Sequence, residues 1–172
     1  MVGRSVKGAP ETEQVTIASL ALLYEHRYHR FLRVAEAIVG EPELAHDVVQ
    51  DAFARAIRGR FGFRGEGDVE AWVWRIVVNT ARRAGRLRPP VAAPLDEAVE
   101  VASVNGQPAD HELRALVARL PERQRLVLFL RHYAELDYRQ IAEALDIRPG
   151  TVGATLNHAH AALRRSLEEA QQ

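Results

Sequence analysis

From Arg88 to Asp110 the chain reads RPPVAAPLDEAVEVASVNGQPAD, with four prolines, one glycine, small side chains and no sustained hydrophobic period. Consecutive prolines stop a helix and push their neighbours toward extended backbone. A structureless stretch of about 20 residues does not belong inside one compact domain. The 172 residues are therefore expected to fold as two small domains joined by a tether. We read a flexible N-terminus over 1–15, a first domain over 16–88, a flexible linker over 89–112 and a second domain over 113–172.

Charge follows the same division. The formal net charge is zero, which on its face argues against a nucleic-acid partner. The zero is an average over unlike parts. Residues 16–90 hold 12 Arg against 9 acids, and residues 113–172 hold 9 Arg against 7 acids. Between them, residues 91–112 hold Asp96, Glu97, Glu100, Asp110 and Glu112 with no Lys or Arg. Two basic segments flank an acidic connector. The absence of cysteine excludes disulfides and thiolate metal sites on this chain. No apolar run approaches the roughly 18–20 residues of a membrane span, and Met1 to Gln14 lack the apolar core of a signal peptide. The expectation is a soluble cytoplasmic protein without membrane insertion.

Hydrophobic spacing is helical on both sides of the connector. Leu20, Leu23, Arg27, Phe31, Ala35 and Ile38 recur at three- and four-residue steps, with Gly40 placed to end the helix. Pro42 suits the first turn of a second helix, whose stripe is Leu44, Val48, Ala52, Phe53, Ala56 and Ile57. Gly59 to Gly67 reads as a glycine-punctuated loop holding Phe61, Phe63 and Arg64. Asp68 caps a third helix that carries Trp72, Ile76 and then Arg82, Arg83 and Arg86. Of the two tryptophans, Trp72 is expected in the core and Trp74 outside it. After the connector, Pro121 opens a helix with Leu126, Val127, Leu130 and Tyr133 inward. A short helix over Tyr138 to Leu145 follows, with Ile141 and Leu145 inward. A turn over Asp146 to Gly150 then leads into a helix from Thr151 to Leu167, whose buried stripe is Val152, Leu156, Ala159 and Leu163. Short helix, tight turn and longer helix is the helix-turn-helix arrangement. The fold class is all-α.

The stretch DVVQDAFARAIRGRFGFRGEG followed by AWVWRIVVNTARR resembles region 2 of bacterial sigma factors. The stretch LPERQRLVLFLRHYAELDYRQIAEALDIRPGTV is similar to their region 4. Both in this order, with nothing but a linker between, resemble the extracytoplasmic-function (ECF) group over roughly residues 20–88 and 113–167. The resemblance implies a region 2 helical bundle and a region 4 helix-turn-helix. It also implies binding to RNA polymerase core, at the β′ clamp helices and the β flap, and to promoter DNA. An anti-sigma factor or another regulatory protein is a further implied partner.

Residue by residue, the resemblance places Asp47, Gln50 and Asp51 on the polymerase-docking face. It places Phe63, Arg64, Asn79, Arg82 and Arg83 at the −10 element. An aromatic ring can hold an unstacked base, Asn79 can read a base edge with its donor and acceptor, and arginines neutralise phosphates. Arg148, Thr151, Gly153, Ala154, Thr155, Asn157 and His158 fall at the −35 element. Here the chain departs from the family, whose pattern is basic where this sequence has Gly153, Thr155, His158 and His160. Histidine is mostly neutral near pH 7 and supplies little steady charge.

Other function classes find less support. No GxxxxGK[ST] loop or catalytic constellation is present, so no enzyme and no cofactor are expected. His26 and His29 are three apart, but no HExxH or acid cluster accompanies them. His158 and His160 are two apart and point to different sides. No metal is expected. A helix-turn-helix regulator acting without polymerase would have no use for Gln50, Asp51 or the Phe63 loop. A sigma-like regulator that needs a helper for promoter choice remains the alternative suggested by the depleted recognition helix.

Overall fold

The computed structural model describes residues 15–63, 65, 67–87, 113 and 115–170. The N-terminus through residue 14, Arg64 and the linker over 89–112 lie outside the described residues. Among those described, every regular element is helical.

Local chemistry sets the helix ends. Helix α1 (Ile17–Val39) starts at a capping box in which Ser19 N–H donates to Thr16 Oγ1 and Thr16 N–H to Ser19 Oγ, both at 3.0 Å. Two of the amides that a helix start leaves unpaired are satisfied in this way. It ends at Gly40, whose φ of 75° is a left-handed conformation that favours glycine. Helix α2 (Pro42–Gly59) opens on proline, which lacks only an N–H that the first turn would leave unpaired. A single 3₁₀ turn, Arg60–Gly62, follows. Helix α3 (Val69–Arg86) is capped by Asp68, whose carboxylate accepts from Glu70 N–H at 2.6 Å and Ala71 N–H at 3.3 Å.

These three helices pack around an aromatic centre. Phe31 lies 4.3 Å from Trp74 and 5.2 Å from Phe53, centroid to centroid, and Tyr24 meets Phe53 edge-on at 4.9 Å. Ala45, Ala52, Ala56 and Ala81 are fully buried and let the helices approach. The expected places of the tryptophans are reversed. Trp74 is 0% exposed, whereas Trp72 is half-buried against Phe63 at 5.5 Å. The reason is the spacing along α3: Ala71, Trp74, Val77, Val78 and Ala81 form the inward stripe, and Trp72 sits off it.

In the second half, α4 (Glu122–His132), α5 (Tyr138–Leu145) and α6 (Pro149–Ala170) bury Leu126, Leu130, Leu136, Ile141, Val152, Leu156 and Ala159. Tyr133, expected inward, is 45% exposed. Its backbone is still helical, with its N–H donating to Phe129 O, but Ala134, four residues after Leu130, takes the inward place. Leu145 and Leu163 are only partly buried. Asp146 adopts φ 54° between α5 and α6, and α6 begins at Pro149, two residues before the expected start. The halves meet: α5 packs on α3, and α4 touches α1.

Trp74 fills the centre of the first half, so its loss leaves a large cavity. Trp74→Ala should destabilise the chain by about 3–5 kcal/mol and Trp72→Ala by clearly less, read from urea unfolding followed by circular dichroism.

Candidate nucleic-acid interface

Opposite its buried stripe, α3 presents Trp72, Arg75, Asn79, Arg82, Arg83 and Arg86 at helical spacing. The loop ending in Gly67 and Asp68 leads into this face, with Phe63 leaning on Trp72. Asn79 and Arg83 are exposed. Arg82 is not free: its Nε donates to Glu122 Oε1 at 2.7 Å, at the start of α4. The expected −10 residues Phe63, Asn79, Arg82 and Arg83 thus lie on one side of the first half. Arg64 lies outside the described residues.

The second half closes over one end of this face. Phe63, Asp68, Trp72 and Arg75 line a cleft of about 690 Å³, whose other wall is Arg139, Glu143, Asp146 and Ile147. At its rim two helix N-termini face each other. Gln140 belongs to the capping box of α5, accepting from Asp137 N–H at 2.9 Å and donating its own N–H to Asp137 Oδ1 at 2.8 Å. The same side chain donates Nε2–H to Asp68 Oδ2, the cap of α3, at 2.8 Å. Glu143 Oε2 accepts from Asp68 N–H at 3.3 Å. Gly67 makes room for it: a Cβ there would stand 2.9 Å from that oxygen, and its φ of 103° is strained for any other residue. Arg30 adds a pair to Glu135 at 2.6 Å. Of these contact residues, Gln140, Glu143 and Glu122 carry no signal in the sequence beyond ordinary helix surface, and Glu135 none beyond an ordinary loop acid.

On α2, Asp47 and Gln50 are exposed side by side. Asp51 is held in place by Arg55 at 2.8 Å, an i,i+4 pair, with Arg58 at 4.0 Å. On α6, Ala154, Asn157 and His158 are exposed, as is Arg148 before it. Thr151 and Thr155 are half-buried, and the Thr155 hydroxyl donates back to Thr151 O at 2.7 Å. Gly153 faces the Tyr138 ring. His160 meets His132 of α4 at 5.8 Å between ring centroids. Desolvation lowers the His132 pKa below the usual histidine value, helped by the neighbouring His160 and Arg131.

The comparisons with known proteins bear on this arrangement. Sigma-70 region 2 matches residues 23–88, and sigma-70 region 4 matches residues 110–163. The RNA polymerase sigma-E factor of Streptomyces avermitilis is 32% identical over 146 residues, covering 83% of this chain and 81% of that protein. The ECF RNA polymerase sigma-E factor of Escherichia coli K12 is 32% identical over 139 residues, covering 71% and 73%. The chain belongs to the ECF group of sigma factors. Two solved complexes share its fold. CnrH bound to the cytosolic domain of CnrY has a TM-score of 0.69 at 20% identity, covering 92% of this chain and 93% of that one. The sigma factor RpoE of Bartonella quintana, bound to the anti-sigma factor NepR, has a TM-score of 0.64 at 19% identity, covering 88% and 98%. Among the described residues of this sigma factor no helix is long and apolar enough to cross a membrane.

Two measurements test the geometry. Gln140→Ala combined with Glu143→Ala removes the polar stitches at the cleft. The variant should show a larger radius of gyration by small-angle scattering than wild type, with helix content lost at most from the first turn of α5. Unfolded His132 regains the ordinary value, so folding favours its neutral form. The resulting stability is complete above the unfolded pKa near 6.5 and falls away as pH drops through the lowered folded value. Thermal melts from pH 7.5 to 5 should therefore decline less in His132→Gln than in wild type.

Proposed function

We propose that this sigma factor binds RNA polymerase core in the cytoplasm and directs promoter-specific initiation. Asp47, Gln50 and Asp51 dock on the β′ clamp helices, and the second half reaches the β flap. Phe63, Arg64, Asn79, Arg82 and Arg83 read the −10 element. Arg148, Thr151, Gly153, Ala154, Thr155, Asn157 and His158 face the −35 element. The observation that carries this reading is the polar face of α3: an amide and a row of arginines beside an aromatic loop, a pattern that suits a base edge flanked by phosphates. The closed cleft is the resting form in this reading, because Glu122 holds Arg82 and α5 overlies the Trp72 end. An anti-sigma factor or another protein that clasps both halves would prolong that form.

Reconstitution with core polymerase, followed by mapping of transcript starts, tests the function as a whole. Discrete starts at a shared promoter sequence are expected. Gln50→Ala with Asp51→Ala should lower core affinity in a fluorescence titration without changing the melting temperature, since exposed substitutions usually move stability by only about 0.5 kcal/mol. Asn79→Ala should reduce permanganate reactivity of −10 thymines at equal holoenzyme.

A second reading rests on α6. Its DNA-facing positions carry few fixed charges, so the −35 contact is weak and promoter choice leans on the first half or on a helper protein. Gly153→Lys with His158→Arg should tighten holoenzyme binding to a −35 duplex and steepen the salt dependence by up to roughly two units. Tight, steeply salt-dependent binding by wild type would rule this second reading out.

A further inference from the structure

Two phenylalanines flank Gly62, and the structure gives them different surroundings. Phe63 leans on Trp72 and is half-buried in the cleft wall. Phe61, on the 3₁₀ turn after α2, is 83% exposed. Its ring packs into no core and so contributes little to folding. One face of the ring carries the Arg60 guanidinium, 4.1 Å from the ring centroid. That guanidinium is itself fixed, because its Nη1–H donates to Ile57 O at 2.6 Å near the C-terminus of α2. The result is a flat aromatic surface with a positioned cation on one side and solvent on the other.

We propose that Phe61 and Arg60 form a stacking site for one unpaired nucleobase of the opened promoter strand, next to the base that Phe63 and Asn79 contact. The site rests on the function proposed above and extends it by one nucleotide. The free face of the ring takes the base, and the guanidinium takes the adjoining phosphate. Such a pairing of aromatic ring and arginine is the common element of single-strand recognition, and it tolerates any base because every base has a π face. The surroundings favour a nucleic acid over a protein surface. Phe61 stands among Arg58, Gly59, Arg60 and Gly62, a setting of positive charge and bare backbone. A protein-docking aromatic is expected within an apolar patch. The turn also places the ring on the chain segment that runs directly into the Phe63 loop, so a strand held by that loop passes within reach.

The test uses the full chain in holoenzyme with promoter DNA carrying 2-aminopurine at successive positions of the −10 region, together with separate titrations of core affinity. The variants are Phe61→Ala, Phe61→Leu, Phe61→Trp and Arg60→Ala. In wild type, one 2-aminopurine position beside the Phe63-dependent base should be quenched on opening. Phe61→Ala and Phe61→Leu should both lose that quench and lower the open-complex fraction by at least roughly fivefold. Phe61→Trp should restore both, and Arg60→Ala should give an intermediate loss with a shallower salt dependence. The leucine variant separates stacking from mere apolar contact. If Phe61→Leu opens promoters as well as wild type, or if Phe61→Ala weakens core affinity while opening per bound complex is unchanged, the stacking site is refuted. The second result would mean that the ring docks on polymerase. If wild type binds core but opens no promoter, the proposed function itself fails and takes this site with it. If wild type opens normally and Phe61→Ala matches it, only the site fails.

Discussion

One side chain joins the two halves of this protein at the starts of two helices. Gln140 completes the capping box of α5 through its Oε1 and, with a side-chain Nε2–H, reaches the aspartate that caps α3. Helix N-termini are electropositive, and two of them facing each other would repel. Asp68, Asp137 and Glu143 place three carboxylates in that junction, where each end is complemented by its own cap and by its neighbour's. The contact therefore depends on both helices being correctly started. Disturbing either cap loosens the junction as well as the helix, which ties the local folding of α3 and α5 to the way the halves sit together.

The polar contacts of that junction are individually weak. Its hydrogen bonds are solvent-exposed, and bonds of that kind are worth about 0.5–1.5 kcal/mol each. The ion pairs that flank it, Arg82 with Glu122 and Arg30 with Glu135, are partly exposed and contribute on the order of 0–1 kcal/mol each, less as salt rises. Closure and polyanion binding also compete for the same charge. While Glu122 neutralises Arg82, the basic face of α3 is weakened, and opening restores it. The acids of the second half thereby act as internal counter-ions for the first.

What could be read from the sequence divides along the same physical line. Helix ends were legible because capping is local. Gly40, Pro42, Asp68 and the start of α5 at Tyr138 all stand where the chemistry of the neighbouring residues put them. The inward stripes of α2 and α6 were legible because their spacing is regular. Trp72 and Trp74 were not, because two large rings two residues apart cannot both face the core, and ring size alone does not choose between them. The choice falls to the alanines and valines in register with Trp74. Tyr133 faces outward because Ala134, one residue on, takes the inward place after Leu130. The contact between halves was invisible for a different reason. Gln140 and Asp68 are 72 positions apart, and each looks complete as a local cap. For the site, Asn79 and Arg83 stand exposed on α3. The engagement of Arg82 by Glu122 and the contrast between Phe61 and Phe63 required the assembled structure.

The thin charge of α6 has a structural side. A helix that enters a DNA groove needs side chains free to extend from it, and in this one several are used inward. Gly153 lies against the Tyr138 ring, which a Cβ there would meet at 3.5 Å, an ordinary van der Waals contact. Thr155 spends its hydroxyl on the carbonyl of Thr151. His160 leans toward the ring of His132 on α4, 5.8 Å between centroids. Tyr138 belongs to α5, the helix that also meets α3, and His132 belongs to α4, which carries Glu122. The packing that holds α6 against its own domain is continuous with the packing that closes the two halves. In such an arrangement the side chains of α6 answer to their neighbours in the second half, while the run of arginines Arg75, Arg82, Arg83 and Arg86 stands on α3.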